Sequence, residues 1–162
     1  MGSMTNALAV DSDISRSTLS GLRGVYVIVE DFNPNVLKYE KYLKKVDLSK
    51  EQIKKDVELK LKHAGITTYN QDEWVKTSGR PALYISSNTH ESEKYWFAYD
   101  VKLSLQQIIF LERNMKIRTL GETWSLNITG MASIGNLNVI KNDTMVLVDR
   151  FIQAYKLVNG KW

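Results

Sequence analysis

The chain has 162 residues and a mass of 18.6 kDa, 43% of them hydrophobic and 25% charged, the balance of one domain able to bury its own core. Cysteine is absent, which excludes disulfides, thiolate metal sites and cysteine nucleophiles. No apolar run approaches the roughly 18 residues of a membrane span, and the net charge of +4 makes a nucleic-acid partner worth testing against the charge pattern.

Residues 1–20 read as a leader outside the fold, and 21–162 as a single α+β domain. Met1-Gly2-Ser3 before a second Met4 looks like a vector-derived remnant. Ala7-Leu8-Ala9 fits the small-x-small pattern of a signal-peptidase site, or else Met4 is the native start and the pattern is chance. Val10 to Ser20, rich in Asp and Ser, reads as a mobile leader in either case. Leu22 to Glu30 (LRGVYVIVE) is a β-branched run with Val25, Val27 and Val29 on one face, a first strand ended by Asp31-Phe32-Asn33-Pro34. Asn35 to Asp47 fits a loop with one helical turn. Ser49 with Gln52 three residues on makes a capping-box pattern for the first helix. Its buried stripe is Ile53, Val57, Leu61 and Ala64, and Gly65 supplies the left-handed stop.

Ile66 to Tyr69 reads as a short extended piece, and Asn70 to Arg80 as an irregular segment. Pro81 to Ser87 (PALYISS) is a second strand with proline at its first position. From Tyr95 the chain alternates strictly: Phe97, Tyr99, Val101, Leu103 and Leu105 on one face, Ala98, Asp100, Lys102, Ser104 and Gln106 on the other. A period of two marks a half-buried antiparallel strand. Gln106-Gln107 interrupts it, the mark of a bulge. After a break at Glu112-Arg113-Asn114, Trp124, Leu126 and Ile128 resume the alternation, with Ser125, Asn127 and Thr129 facing outward. Gly130 to Asn142 reads as a loop or ragged strand end. A final helix capped by Asn142 or Asp143 carries Val148, Phe151, Ile152, Tyr155 and Val158 toward the sheet and ends at Asn159-Gly160.

The order β-α-β-β-β-α predicts a two-layer sandwich: a mainly antiparallel sheet of about four strands with two helices on one face. A right-handed crossover places the first two strands parallel. The opposite face of the sheet, with Lys102, Ser104, Gln106, Ser125, Asn127 and Thr129, is expected to be polar and exposed.

Between Lys38 and His63 lie nine lysines and five acids, an excess as large as that of the whole chain. Glu51→Lys55, Asp56→Lys60 and Glu58→Lys62 are acid-first pairs four apart, which suit a solvated helix face better than a phosphate-binding patch. No nucleic acid is therefore expected as a partner. His63 at a helix end and His90 in a polar turn lack the companions a metal needs. Gly130 to Gly135 does not centre Ser133 between glycines as a nucleophile elbow does. No glycine-rich phosphate loop is present. The pairs Glu30-Asp31 and Asp72-Glu73 read as charges at element ends. Trp96, opposite Phe97, either marks a partner site or packs beneath the segment carrying Trp74, and the packing reading is preferred. No catalytic, metal-binding or cofactor-binding residue and no cofactor is assigned.

The strings LRGVYVIVE, SKEQIKKDVELKLKHAGI, PALYISSN, YWFAYDVKLSLQQ, GETW and VDRFIQAYKLVN, in that order over residues 22–159, resemble a group of small bacterial proteins frequent in cyanobacterial genomes. These are made with signal peptides and have no assigned function. The resemblance implies export to a periplasmic or equivalent space and offers no catalytic residue to transfer. The arrangement also resembles the small α+β domains of periplasmic accessory proteins, a fold-level analogy only. The resulting expectation is a non-catalytic exported accessory or binding module of the cell envelope, its partner another protein or an envelope component. The alternatives are an enzyme with a dispersed active site, or a nucleic-acid-binding domain using Lys54, Lys55 and Lys62.

Overall fold

The structure, a computed structural model, describes residues 11–160. Met1-Gly2-Ser3 and Ala7-Leu8-Ala9 lie outside the described residues. Five strands, β1 (Gly24–Val29), β2 (Thr67–Tyr69), β3 (Ala82–Glu93), β4 (Trp96–Leu111) and β5 (Asn114–Ser133), form one sheet in the order β2-β1-β3-β4-β5. β1 is parallel to both β2 and β3, while β3, β4 and β5 are antiparallel in turn. The domain is α+β as expected, but the sheet is mixed and five-stranded. Four short helices join the two anticipated ones: α1 (Asp13–Ser17), α2 (Pro34–Leu37), α3 (Glu40–Lys45) and α5 (Gln71–Lys76) accompany α4 (Lys50–His63) and α6 (Val139–Asn159).

The long helices follow their sequence signals. Ser49 Oγ accepts from the N–H of Gln52 at 3.2 Å, a cap worth about 1 kcal/mol. The reciprocal half of the box does not form, because the Gln52 amide donates to Asp56 instead. Ile53, Val57 and Leu61 are buried, and Gly65 takes φ +78 at the stop. α6 begins a turn before the expected caps, so Asp143 lies inside the helix, where it accepts from the Tyr99 hydroxyl at 2.8 Å. Burial pushes that phenol up to about 12.

Three local signals were misread. Asn70 to Arg80 is not irregular: Asn70 Oδ1 accepts from the Glu73 N–H and the Glu73 carboxylate from the Asn70 N–H, a complete capping box for α5. Glu73, expected as a charge at an element end, is one, and caps the helix there. Asn35 to Asp47 holds two short helices, α2 and α3. Finally, the segment expected as a mobile leader enters the fold from residue 11. Ser12 and Ser15 cap α1 reciprocally, and Leu19 is fully buried.

The core lies between one sheet face and the helices α4 and α6, which touch each other. Phe97, Tyr99, Val101, Leu103 and Trp124 are buried with Phe151, Ile152 and Tyr155, and Leu126 and Ile128 pack partly buried beside them. The β4–β5 ladder slips between Leu105 and Gln106, leaving Thr123 as the extra residue of a bulge, and again between Phe110 and Leu111 near the hairpin end. Gln107 secures the bulge, donating to Thr123 Oγ1 at 2.9 Å and to the Thr18 carbonyl at 3.2 Å. The opposite sheet face is less open than its alternation suggests. Ser104 and Ser125 face each other in register and are 2% and 7% exposed. By that register, the Lys102–Glu122 ion pair at 2.7 Å crosses above the two short side chains.

Val101→Asp places an unpaired carboxylate in a fully buried site and should cost several kcal/mol or unfold the domain. Lys102→Asp, at a half-exposed pair, should cost no more than about 1 kcal/mol. Thermal melts of the two variants check this, and a reversed order would mean inverted faces.

Candidate binding surface

β1 ends where it pairs Val29 with Ile85, but β3 runs eight residues farther. Its backbone beyond that point needs other partners, and two asparagines supply them. Asn33 Oδ1 accepts from the N–H of Thr89 at 2.8 Å, and the Asn35 amide donates to the Thr89 carbonyl at 2.7 Å. The Thr89 hydroxyl donates to Asn35 Oδ1. Asn33-Pro34-Asn35 therefore does more than stop a strand. Pro34 starts α2, and the flanking amides dock that helix on the edge of β3, two residues before Glu91.

Docking brings Lys38 and Tyr39 onto Glu91. Its carboxylate accepts from the Lys38 ammonium, from the Tyr39 hydroxyl and from the Tyr95 N–H at 3.2 Å. Above all the Lys38 contact, then the Tyr39 hydroxyl, hold the Glu91 carboxyl down from its ordinary 4.5 to about 2. The Glu91 carboxylate in turn raises both Lys38 and Tyr39. Glu91 is a fixed anion that orders its neighbours, unsuited to donating a proton near neutral pH.

Tyr95 sits in the Lys94-Tyr95 turn between β3 and β4 with φ +69. Glycine or asparagine usually fills such a left-handed position, which costs another residue on the order of 1–2 kcal/mol. Here a tyrosine is held there, its N–H on Glu91 and its ring 5.4 Å from Tyr39 and 6.2 Å from Tyr42. Tyr39 stands edge-on to Tyr42 and to the buried Phe97, at 6.3 and 5.9 Å. A lysine lies over each tyrosine: Lys38 over Tyr39, Lys45 over Tyr42 and Lys94 over Tyr95, at 5.0 to 5.8 Å. Tyr42 and Tyr95 remain 40% and 39% exposed. The surface offers ring faces and positive charge on a rigid support.

On the other side of α2 and α3 opens a cleft of about 470 Å³ lined by Phe32, Leu37, Leu43 and Leu48, with Asp31, Glu40, Lys44, Asp47, Lys50 and Glu51 at its rim. Its size suits a small ligand. Its rim charges are largely spent on each other: Lys44 pairs with Glu40 at 2.7 Å, and Lys50 with Asp31.

The residues weighed from sequence fall elsewhere. His63 and His90 are exposed, on α4 and within β3 rather than a turn, and the described residues hold no group of three or more metal-ligating side chains. Ser133 closes β5 ahead of a 3-10 turn, Ile134–Asn136, which is not an elbow. Trp96 does not pack beneath Trp74. It is 49% exposed, and Trp74 stacks on Tyr26 at 5.2 Å. None of the three acid-first pairs on α4 forms. Lys54 instead meets Glu58 at 3.9 Å and lies over Tyr26, and Lys60 reaches Asp149 on α6 at 2.9 Å. Lys55 and Lys62 are exposed. The tyrosine surface itself was missed. Tyr39, Tyr42, Glu91 and Tyr95 are scattered in sequence, and their only local signal was a tyrosine in a lysine-flanked hairpin turn.

Because the folded Glu91 is depressed, its contribution to stability is fully present above about 4.5 and is lost as pH falls toward about 2. Glu91→Gln should therefore flatten the acid limb of a stability–pH curve in that window and leave its neutral region parallel to wild type. Coincident acid limbs would show that Glu91 anchors nothing. Comparison with family models, with curated proteins and with solved structures gives no match to the chain.

Proposed function

We propose that this protein is a non-catalytic binding module of the bacterial cell envelope that engages an acidic protein partner through Tyr42, Tyr95 and their attendant lysines. The observation that carries the reading is Tyr95. A large ring occupies a strained turn position and stays 39% exposed, and such strain is kept at sites where it serves a task. Tyrosines on a rigid support are the anchors that protein interfaces favour. Lys38, Lys41, Lys44, Lys45 and Lys94 outnumber Glu40, Glu91 and Glu93 on the same segments, and two of those acids are already bound by Lys44 and Lys38. The excess favours a partner of negative charge.

The absence of catalysis in this reading is supported by Glu91, held ionised at the centre of the cluster. The envelope location is supported by Ala7-Leu8-Ala9 and by the resemblance of residues 22–159 to exported proteins. The engaged lysines of α4, Lys54 and Lys60, favour this surface over a phosphate-binding helix.

Tyr95→Gly separates function from folding. It relieves the left-handed strain while deleting an exposed ring, so stability should stay within about 1 kcal/mol of wild type. Capture of a partner from envelope extract by the immobilised chain should be lost with Tyr95→Gly and with Tyr42→Ala alike. Undiminished capture by both variants would place the binding surface elsewhere.

A further inference from the structure

We infer that two copies of this chain pair through the open edge of β5, antiparallel about a two-fold axis at Leu120, to join their sheets into one. Beyond the bulge at Thr123 the β4–β5 hairpin continues as a two-stranded arm, with Ile108 opposite Leu120 and Phe110 opposite Arg118. Its side chains are unusually apolar for exposed positions: Phe110, Met115, Ile117 and Leu120 are 52%, 64%, 43% and 49% exposed. Among the described residues β5 is the last strand of the sheet and none pairs with its outer edge, and the strand contains no proline, so its outer backbone is a template for another strand.

The direction of that backbone follows from one hydrogen bond. The Ile108 N–H donates to the Gly79 carbonyl at 2.8 Å, away from β5. Residues opposed in an antiparallel pair exchange both their backbone bonds or neither. Ile108 and Leu120 therefore exchange neither, and the N–H and C=O of Leu120 point to the open edge. By the same alternation so do those of Arg118 and Glu122, whose register with Phe110 and Gln106 is unbroken.

A second copy fits that edge because the edge is complementary to itself. A two-fold axis at Leu120 sets Leu120 against its own image and Arg118 against Glu122 of the other copy, twice. Moving the axis to Arg118 would oppose two guanidinium groups, and opposed like charges destabilise a sheet. With Leu120 on the axis, Ile108 and Leu120 of each copy make one apolar row across the joint. Glu122 already accepts from Lys102 at 2.7 Å and keeps a second oxygen for Arg118. On the opposite face Gly121 leaves a low place that Ile109 fills: a Cβ there would lie 2.4 Å from its Cδ1. No side chain at 121 then stands between the approaching strand and Ile109.

This edge is independent of the tyrosine surface, and its test leaves that proposal untouched. A joint of one strand pair is smaller than the roughly 1,200 Å² of a standard interface, so a reversible dimer half-formed at roughly 100 μM is expected. Sedimentation velocity over a concentration series should show it, and Leu120→Arg, at an exposed side chain, should abolish it without changing the far-UV circular dichroism or the melt. Because the chain has no cysteine, Leu120→Cys reports the axis directly. Opposed residues in a hydrogen-bonded pair have Cα atoms about 5.5 Å apart, within disulfide reach. Oxidation should cross-link Leu120→Cys at least about tenfold faster than Met131→Cys, which is 64% exposed on the same strand. A monomer at ten times that concentration, a dimer indifferent to Leu120→Arg, or equal cross-linking at the two positions would each overturn the inference.

Discussion

The rest of the structure depends on the burial of Trp124. Its indole is fully enclosed, edge-on to Phe151 with centroids 5.4 Å apart. A buried indole N–H needs an acceptor, and Asp11 provides it at 2.9 Å. Asp11 is in turn gripped by Arg16 through two parallel bonds, the N–H of one terminal nitrogen at 2.9 Å, and the Arg16 contact holds its carboxyl below the usual range. One ring thus ties α1, β5 and α6 together. Burying the indole without that carboxylate would leave its donor unpaired, at a cost of about 1–3 kcal/mol.

The bulge beside Trp124 divides β5 into two parts with different tasks. On the body side, alternation delivers Trp124, Leu126 and Ile128 to the helices. Beyond the bulge no helix among the described residues covers the arm, and Phe110, Met115, Ile117 and Leu120 are exposed. At the opposite end of β4, the Lys94-Tyr95 turn that joins it to β3 holds the tyrosine surface. The two ends of one rigid ladder therefore present two different surfaces, and the core between them fixes their separation.

What could be read from the sequence was what the chain repeats. The period of two from Phe97 to Leu105, the 3.6 period of Ile53, Val57 and Leu61, the stop at Gly65 and the interruption at Gln106-Gln107 all describe the structure correctly. What could not be read was set by single long-range contacts. Residues 11–20 look like a leader because their partners, Trp124 and Asn159, lie over a hundred residues away. The aromatic site was invisible for the same reason. Asn33 and Asn35 look like turn and loop residues until Thr89 is placed beside them, and nothing in its own segment marks Glu91 before Lys38 and Tyr39 fold onto it. Helices as short as α2 and α3 leave too few positions for any period to show.

The claim that the Tyr42 and Tyr95 surface is where this protein works is tested most directly by a photo-reactive benzoyl-phenylalanine placed at position 42, at 95, or at 59, where Leu59 is 51% exposed on α4. Irradiating cells that express the native gene should give a discrete adduct to an acidic protein in the envelope fraction from positions 42 and 95, and none from 59. Adducts formed equally from 59, or recovered only from the cytosol, would contradict the account.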